Sequence, residues 1–529
     1  MNYRLKTEIR IGKNEYFWGG AVAHGVRMPL SADSEYEFDV NENETDNQVN
    51  TLFTSTCGRY VAIDGEFKLL AKNGVLTFYT NVKPYVGECE EKTLKAAYLA
   101  GVKLLRKEIP VNFSRNLLKK PQFCTWTEMG INVSEEKILR YAECIAGGNL
   151  AHDLLIIDDG WSVDYGDWRF HPDKIPHPKQ MIEKLHKSGF RVSLWVVPFV
   201  NETAKDYEYL KNAGALVRGA DGEVKKKTWW NGKSAVLDLT SEAARNYFTD
   251  VLDSLMRDFG ADGFKFDAGD EIYYHNDVTS RPVSPAEHCA LYSEIAKRYE
   301  IAEVRSGFQN SGSHLITRLN DKRKSWEHEN GIKTLVPNMI QAGLCAYPFS
   351  CADMIGGGMI SDFGTEKCEK SGVAEGKICG EQEELAARFC ECNALMPAMQ
   401  FSCSYWKKNE LLNKIYGGCV ALHSSAGDYL DELIDEAIKT CAPILRCLEY
   451  EFPHQGYETT TDKFMLGEKY LVYPVVRPGV REAELCLPLG ARWKYVPSGI
   501  IYEGGETVKV SAPVDTLPYF ERVDEAARL

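Results

Sequence analysis

Two apolar, strand-like runs in this chain end in carboxylates, and a third carboxylate stands in a polar loop further on. Acids so placed can serve as nucleophile and proton donor toward an uncharged polar substrate. The first run, Ile156-Ile157, leads into Asp158-Asp159-Gly160-Trp161; the second is Gly263-Phe264-Lys265-Phe266-Asp267-Ala268-Gly269-Asp270. Side chains alternate along a strand, so Lys265 and Asp267 share one face while Phe264 and Phe266 share the other. Asp267 reads as a catalytic nucleophile, although a buried ion pair would carry the same pattern. Asp158 and Asp159 suit hydroxyl groups as charge-assisted acceptors. Asp321 follows Arg305 by 16 residues, within Arg318-Leu319-Asn320-Asp321-Lys322; by itself it would pass for a turn residue. Trp195 and Trp230 offer flat apolar platforms of the kind that stack on sugar rings, or simply core.

These residues need a scaffold that gathers strand ends. Ala243 to Phe259 has helical spacing, and Gly260-Ala261-Asp262-Gly263 breaks it and restarts the chain as a strand. From about residue 122 strand, loop and helix alternate, with helices expected from Ser134 and from Pro178 to Ser188. That rhythm predicts an α/β fold, a (β/α)8 TIM barrel whose chemistry gathers at the C-terminal ends of its strands. Residues 1–121 carry short strands and turn signals such as Asp64-Gly65 and Asn73-Gly74, ending in a helix from Leu94, and predict an N-terminal β-sandwich. The barrel is expected over 122–450 and a small C-terminal β-sandwich over 451–529. The Gly-rich, charged segment 359–384 reads as a lid or subsite wall, or as an idle insertion.

Composition narrows the partners. The 529-residue chain has 76 acidic against 62 basic residues, a net charge of −14, so neither nucleic acid nor an anionic membrane surface is expected. The start, Met1 to Glu8, lacks an apolar signal-peptide core, and the apolar runs are too short to span a bilayer; a cytoplasmic location is the expectation. The 16 cysteines include no Cys-x-x-Cys pair and no nearby Cys/His cluster, and predict reduced, buried thiols with neither a zinc site nor a thioredoxin-like redox motif. A homo-oligomer is compatible with the sequence.

Taken in order, the nucleophile strand, the Arg305/Asp321 pair followed by Ser325-Trp326, and Asp353-Met354-Ile355-Gly356-Gly357-Gly358 resemble glycoside hydrolase family 31. Lys463 to Gly467, Tyr473-Pro474-Val475-Val476 and Trp493 are similar to the domain that follows that family's barrel. The resemblance covers essentially the whole chain. It implies a retaining α-glycosidase that needs no cofactor, with Asp267 as nucleophile, Asp321 as general acid/base and Arg305 near the acid/base and the sugar. It further implies a first sugar subsite lined by Asp158, Asp159, Trp126, Trp195, Trp230, Lys265, Asp353 and Gln400, with Lys265 keeping Asp267 ionised. The partner would be a small α-glycoside or oligosaccharide.

Many gluco-specific members carry Arg and His after the last barrel strand, where this chain has Gln400 and Ser402. Ile157-Asp158-Asp159, Tyr165-Gly166-Asp167, Trp229-Trp230-Asn231-Gly232 and Met396 to Ser402 are most like an α-galactosidase-like branch. The sequence expectation is therefore an exo-acting α-galactosidase; α-glucosidase, α-xylosidase or a sulfoquinovosidase-like activity stands as the alternative. A catalytically silent sugar-binding protein is the alternative of another class.

Overall fold

The computed structural model describes residues 3–106, 114–148, 150–362, 381–407 and 410–523. Most of segment 359–384, residues 363–380, lies outside the described residues.

Eight parallel strands close into a barrel in chain order: Gln122–Cys124, Leu154–Ile157, Arg191–Val196, Gly263–Phe266, Ile301–Val304, Ile316–Arg318, Ser350–Ile355 and Ala398–Phe401, the last pairing with the first. The helices around it start where the sequence signals them. Ser134 caps Glu135–Gly147, Pro178 opens Pro178–Lys187, and Ser284 with Glu287 forms a capping box on Pro285–Ala296. Gly260, at φ +87°, ends the helical run before the fourth strand, and a side chain at Gly263 would meet the Ile301 carbonyl at 2.2 Å. In that strand Phe264 and Phe266 turn outward onto Tyr299 and Tyr292, at ring distances of 4.9 and 5.6 Å, while Lys265 turns into the barrel. The alternation legible in the sequence is thus the alternation of the barrel wall.

One connection departs from strand–helix regularity. The chain passes from the fifth strand to the sixth through residues 305–315 with no helix among these described residues. The N-terminal region fills the place. Asn47 donates its amide to the carbonyls of Arg305 and Arg318, both at 3.2 Å, Gln48 donates to that of Val304 at 3.1 Å, and Asn50 reaches Ser311 at 2.6 Å. Val49 makes a parallel bridge to Phe308. These amides satisfy backbone groups that a covering helix would otherwise shield.

That N-terminal region is a sandwich of two four-stranded antiparallel sheets. Phe53, Phe67 and Phe78 meet between them, at ring distances of 5.3 and 4.9 Å from Phe53. Helix Leu94–Leu105, capped by Thr93, leads toward the barrel. After the barrel, a six-stranded antiparallel sheet and a two-stranded one enclose Trp493, Phe520, Leu485 and Val508. No helix among the described residues is long and apolar enough to cross a membrane. The described cysteines are free thiols, most of them buried.

Candidate active site

A cavity of about 340 Å3 opens where the barrel strands end, and Trp126, Asp158, Asp159, Trp195, Trp230, Lys265, Asp267, Arg305 and Asp321 all line it. Nine residues singled out from sequence are thereby brought together from the ends of six strands or the loops after them. The volume is of the size that holds a small ligand, at the low end of about 300–1,000 Å3.

Asp267 follows the fourth strand directly and is 14% exposed. Its Oδ1 accepts from Arg305 Nε at 2.6 Å and from the Ala268 amide at 2.9 Å, and its Oδ2 accepts from Trp195 Nε1 at 3.1 Å. Burial pushes this carboxyl up, but Arg305, Arg318 and Lys265 together override it and hold it well below the usual carboxylate range. Asp267 is therefore ionised, with one oxygen held twice and the other once. Ala268, the next residue, sits at φ +56°, a left-handed backbone that a non-glycine residue holds only under constraint.

Lys265 stands differently from the sequence expectation. Its Nζ lies 2.7 Å from Asp158 Oδ2, both side chains being 3% exposed. The ion pair of the fourth strand is made with Asp158, and Lys265 acts on Asp267 only at longer range, after the two arginines. Cys124 Sγ also donates to Asp158 Oδ2 at 3.1 Å. The neighbouring Asp159 accepts from Tyr165 OH at 3.0 Å and Asn231 Nδ2 at 2.9 Å. Burial, and then the charge of Asp158, push the Asp159 carboxyl up to about 6.

Asp321 is one-third exposed, and its Oδ1 accepts from Arg318 Nη1 at 2.7 Å. Arg318, not Arg305, is thus the guanidinium on this carboxylate; Arg305 instead spans Asp267 and Asp270, at 2.6 and 2.8 Å. Arg318 is 1% exposed, and its Nη2 lies 4.0 Å from Asp267 Oδ1, so one cation links both carboxylates. Glu303, at 3.0 Å, and Asp353, at 2.7 Å, hold the same guanidinium from below.

Asp353 and Gln400, expected at the sugar, lie in this lower layer. Asp353 is fully buried and bonds Arg318 and the Lys322 amide, while Gln400 bonds Glu303 at 2.6 Å and Gln122 at 3.2 Å. A bulge in the seventh strand between Cys351 and Met354 leaves Asp353 at φ +78° and turns it off the lining. Burial, only partly offset by Arg318, pushes Asp353 up to about 7.

Arg318, Asp270 and Glu303 were missed in the sequence, as were Asp46, Asn320 and Asn330 in the lining, whereas Met359 to Ser361, the start of the segment read as a lid or subsite wall, do line the cavity. Arg318 had a usable signal in Ile316-Thr317-Arg318, a β-prone run just before the Asp321 loop. Asp46 had none, because it arrives from the N-terminal sandwich. A group of Glu449, His454 and Glu458, with ligand atoms within 4.8 Å of one another, is not part of the cavity.

Residues 121–416 match the description "Glycosyl hydrolases family 31 TIM-barrel domain", and residues 441–525 match "Glycosyl hydrolase family 31 C-terminal domain". The chain is similar to the myogenesis-regulating glycosidase of Mus musculus, with 34% identity over 405 residues that make up 75% of this chain and 55% of that protein. It is also similar to the 1,3-alpha-isomaltosidase of Kribbella flavida, 24% identical over 413 residues, 71% of this chain and 54% of the other. The chain spans about half the length of the curated relatives it matches. Among solved structures, a GH31 alpha-xylosidase from a soil metagenome, complexed with xylose, shares the fold with a TM-score of 0.81 at 18% identity, over 99% of this chain and 80% of that one.

Proposed function

The chain belongs to glycoside hydrolase family 31, and on that premise we propose that it is an exo-acting α-glycosidase working by double displacement, with a terminal α-galactoside as substrate. The observation that carries the reading is the pair of carboxylates on one cavity, an ionised Asp267 and a partly exposed Asp321, joined by the Arg318 guanidinium at 2.7 Å from one and 4.0 Å from the other. Retaining hydrolysis needs such a pair about 5–5.5 Å apart, one carboxylate to attack and one acid to protonate.

Asp267 Oδ2, with a single donor, forms the bond to the anomeric carbon as the bond to the leaving oxygen breaks, and Asp321 gives its proton to that oxygen. Water then attacks the glycosyl-aspartate, yields a proton to Asp321 and frees Asp267. Arg305 and the Ala268 amide keep Oδ1 fixed throughout, so the nucleophile is oriented before substrate arrives. Asp158 and Asp159 present adjacent acceptors on the cavity floor, which supports a sugar with an axial hydroxyl directed there, and Trp126, Trp195 and Trp230 offer the apolar ring a stacking surface.

A panel of aryl α- and β-glycosides, with proton NMR of the first-formed product, tests this. We expect fastest turnover on the α-galactoside and an α-anomeric first product. Faster turnover of an α-glucoside, α-xyloside or sulfoquinovoside would reverse the sugar assignment, and a β-anomeric first product would refute double displacement.

A further inference from the structure

Next to the catalytic cavity lies a second one, of about 450 Å3, that shares Asp46, Asn320 and Asn330 with it. Asp321, the proposed proton donor, sits in sequence between two of the second cavity's lining residues, Asn320 and Lys322. The second cavity therefore borders the loop that carries the proposed proton donor. Its walls come from the N-terminal sandwich on one side and from the loop after the sixth strand on the other.

The lining is markedly anionic. Glu42, Glu44, Asp46 and Glu329 contribute carboxylates against one lysine. Glu42 has His275 at 3.5 Å and Asp46 has Arg305 at 3.7 Å, whereas Glu44 and Glu329 have no ion-pair partner among the described residues. The lysine, Lys322, is 1% exposed, with its Nζ turned to Asn320 Oδ1 at 2.8 Å and Asn330 Oδ1 at 3.2 Å, and burial pushes it down to about 8. The one histidine, His24, is pushed down to about 4 by burial and adds no cation at neutral pH.

An independent feature points the same way. Asn338 lines the cavity from helix Leu335–Leu344, is 2% exposed, and its Oδ1 has no hydrogen-bond partner among the described residues. A buried acceptor left unpaired costs about 1–3 kcal/mol, which a donor-bearing ligand would recover.

Resting on the glycosidase reading above, we infer that the second cavity is a leaving-group site selective for an aglycone that carries an amine, as in an amino sugar or an aminoalkyl or aminoaryl glycoside. The ammonium lies among Glu42, Glu44 and Glu329, and donor groups of the aglycone reach Asn338 Oδ1. Complementary charge at this distance from the chemistry raises affinity and on-rate without touching the reacting atoms.

The test uses two leaving groups that differ by one ammonium, 4-(aminomethyl)phenol and 4-(hydroxymethyl)phenol, titrated calorimetrically into the whole protein, and their α-galactosides compared in turnover. At low ionic strength the amine is expected to bind about tenfold more tightly, with a matching gain in kcat/KM, and the difference is expected to shrink as salt is raised. The double variant Glu44→Gln/Glu329→Gln, at two exposed positions, is expected to bring the ratio toward one. Equal affinity for the two phenols, or a preference that survives in the double variant, overturns the inference. Absence of all glycoside turnover with the amine preference intact in binding would instead count against the catalytic reading and leave the charge selectivity standing.

Discussion

Replacing Lys265 by Met tests the electrostatic design of the cavity floor. Lys265 Nζ and Asp158 Oδ2 are 2.7 Å apart, each side chain is 3% exposed, and the neighbouring Asp159 is a second buried carboxyl. Removing one partner of such a pair leaves a buried charge uncompensated and costs about 3–5 kcal/mol. The remaining donors to Asp158, Cys124 Sγ at 3.1 Å, and the Asp159 amide at 2.9 Å, are too weak to replace an ammonium. The deficit should grow from acid to neutral pH, because a protonated carboxyl relieves the excess anion and an ionised one does not. Urea unfolding followed by both tryptophan fluorescence and circular dichroism measures the loss, and the companion variant Lys265→Met/Asp158→Asn completes a double-mutant cycle. The double variant should recover most of the stability while remaining inactive, since the sugar acceptor is gone. A loss below about 1 kcal/mol for Lys265→Met, or no recovery in the double variant, refutes the claim that this pair neutralises the floor.

Asp321→Ala should lower turnover by about 10²–10⁴-fold on glycosides with poor leaving groups and far less on activated nitrophenyl glycosides, which need no proton; uniform loss across leaving groups would contradict its assignment as acid. Trp230→Ala, at a ring that is 49% exposed, should raise KM with little change in unfolding midpoint, as read by steady-state kinetics and thermal melts. Asp159→Asn bears on pH. With its folded carboxyl at about 6, above the usual value of about 3.9, Asp159 binds its proton more tightly in the native state, so its contribution to stability falls as pH rises from about 4 to about 6. The variant should then be more stable than the parent by about 2–3 kcal/mol at neutral pH and no more stable near pH 4; an equal effect at both would count against the shift.

How much of this was legible in the sequence depended on how local each cause was. The fourth strand announced itself because its alternation, its glycine break and its terminal carboxylate lie within ten residues. Asp158 and Asp159 were visible for the same reason. What the sequence hid was partnership. Lys265 and Asp158 are 107 positions apart, and nothing in the strand itself says that its lysine pairs across the barrel and not with Asp267. Arg318 sits on a strand of three residues, too short for a period to emerge, and its role comes from four carboxylates, three of them supplied by other strands and their ends and only Asp321 by its own loop. Asp353, expected at the sugar from the resemblance alone, lies beside a bulge of the seventh strand and is buried against Arg318, which its neighbours in sequence do not reveal. Gln400, likewise, ends up supporting Glu303 underneath the lining.

The crossover without a helix has a consequence for how the chain is made. Asn47, whose amide closes over the Arg305 carbonyl, leaves the ribosome 258 positions ahead of it. At about 5–20 residues per second that is a wait of roughly 10–50 s. During that interval the seam is held open by amide groups, Asn47, Gln48 and Asn50, all buried to within 1% in the finished protein. Amides can hydrogen-bond to water while they wait, as an apolar strip of the same size could not. The half-finished protein thus carries its future interface in a hydrated form, ready to template the crossover from the fifth strand to the sixth, which arrives without a covering helix of its own.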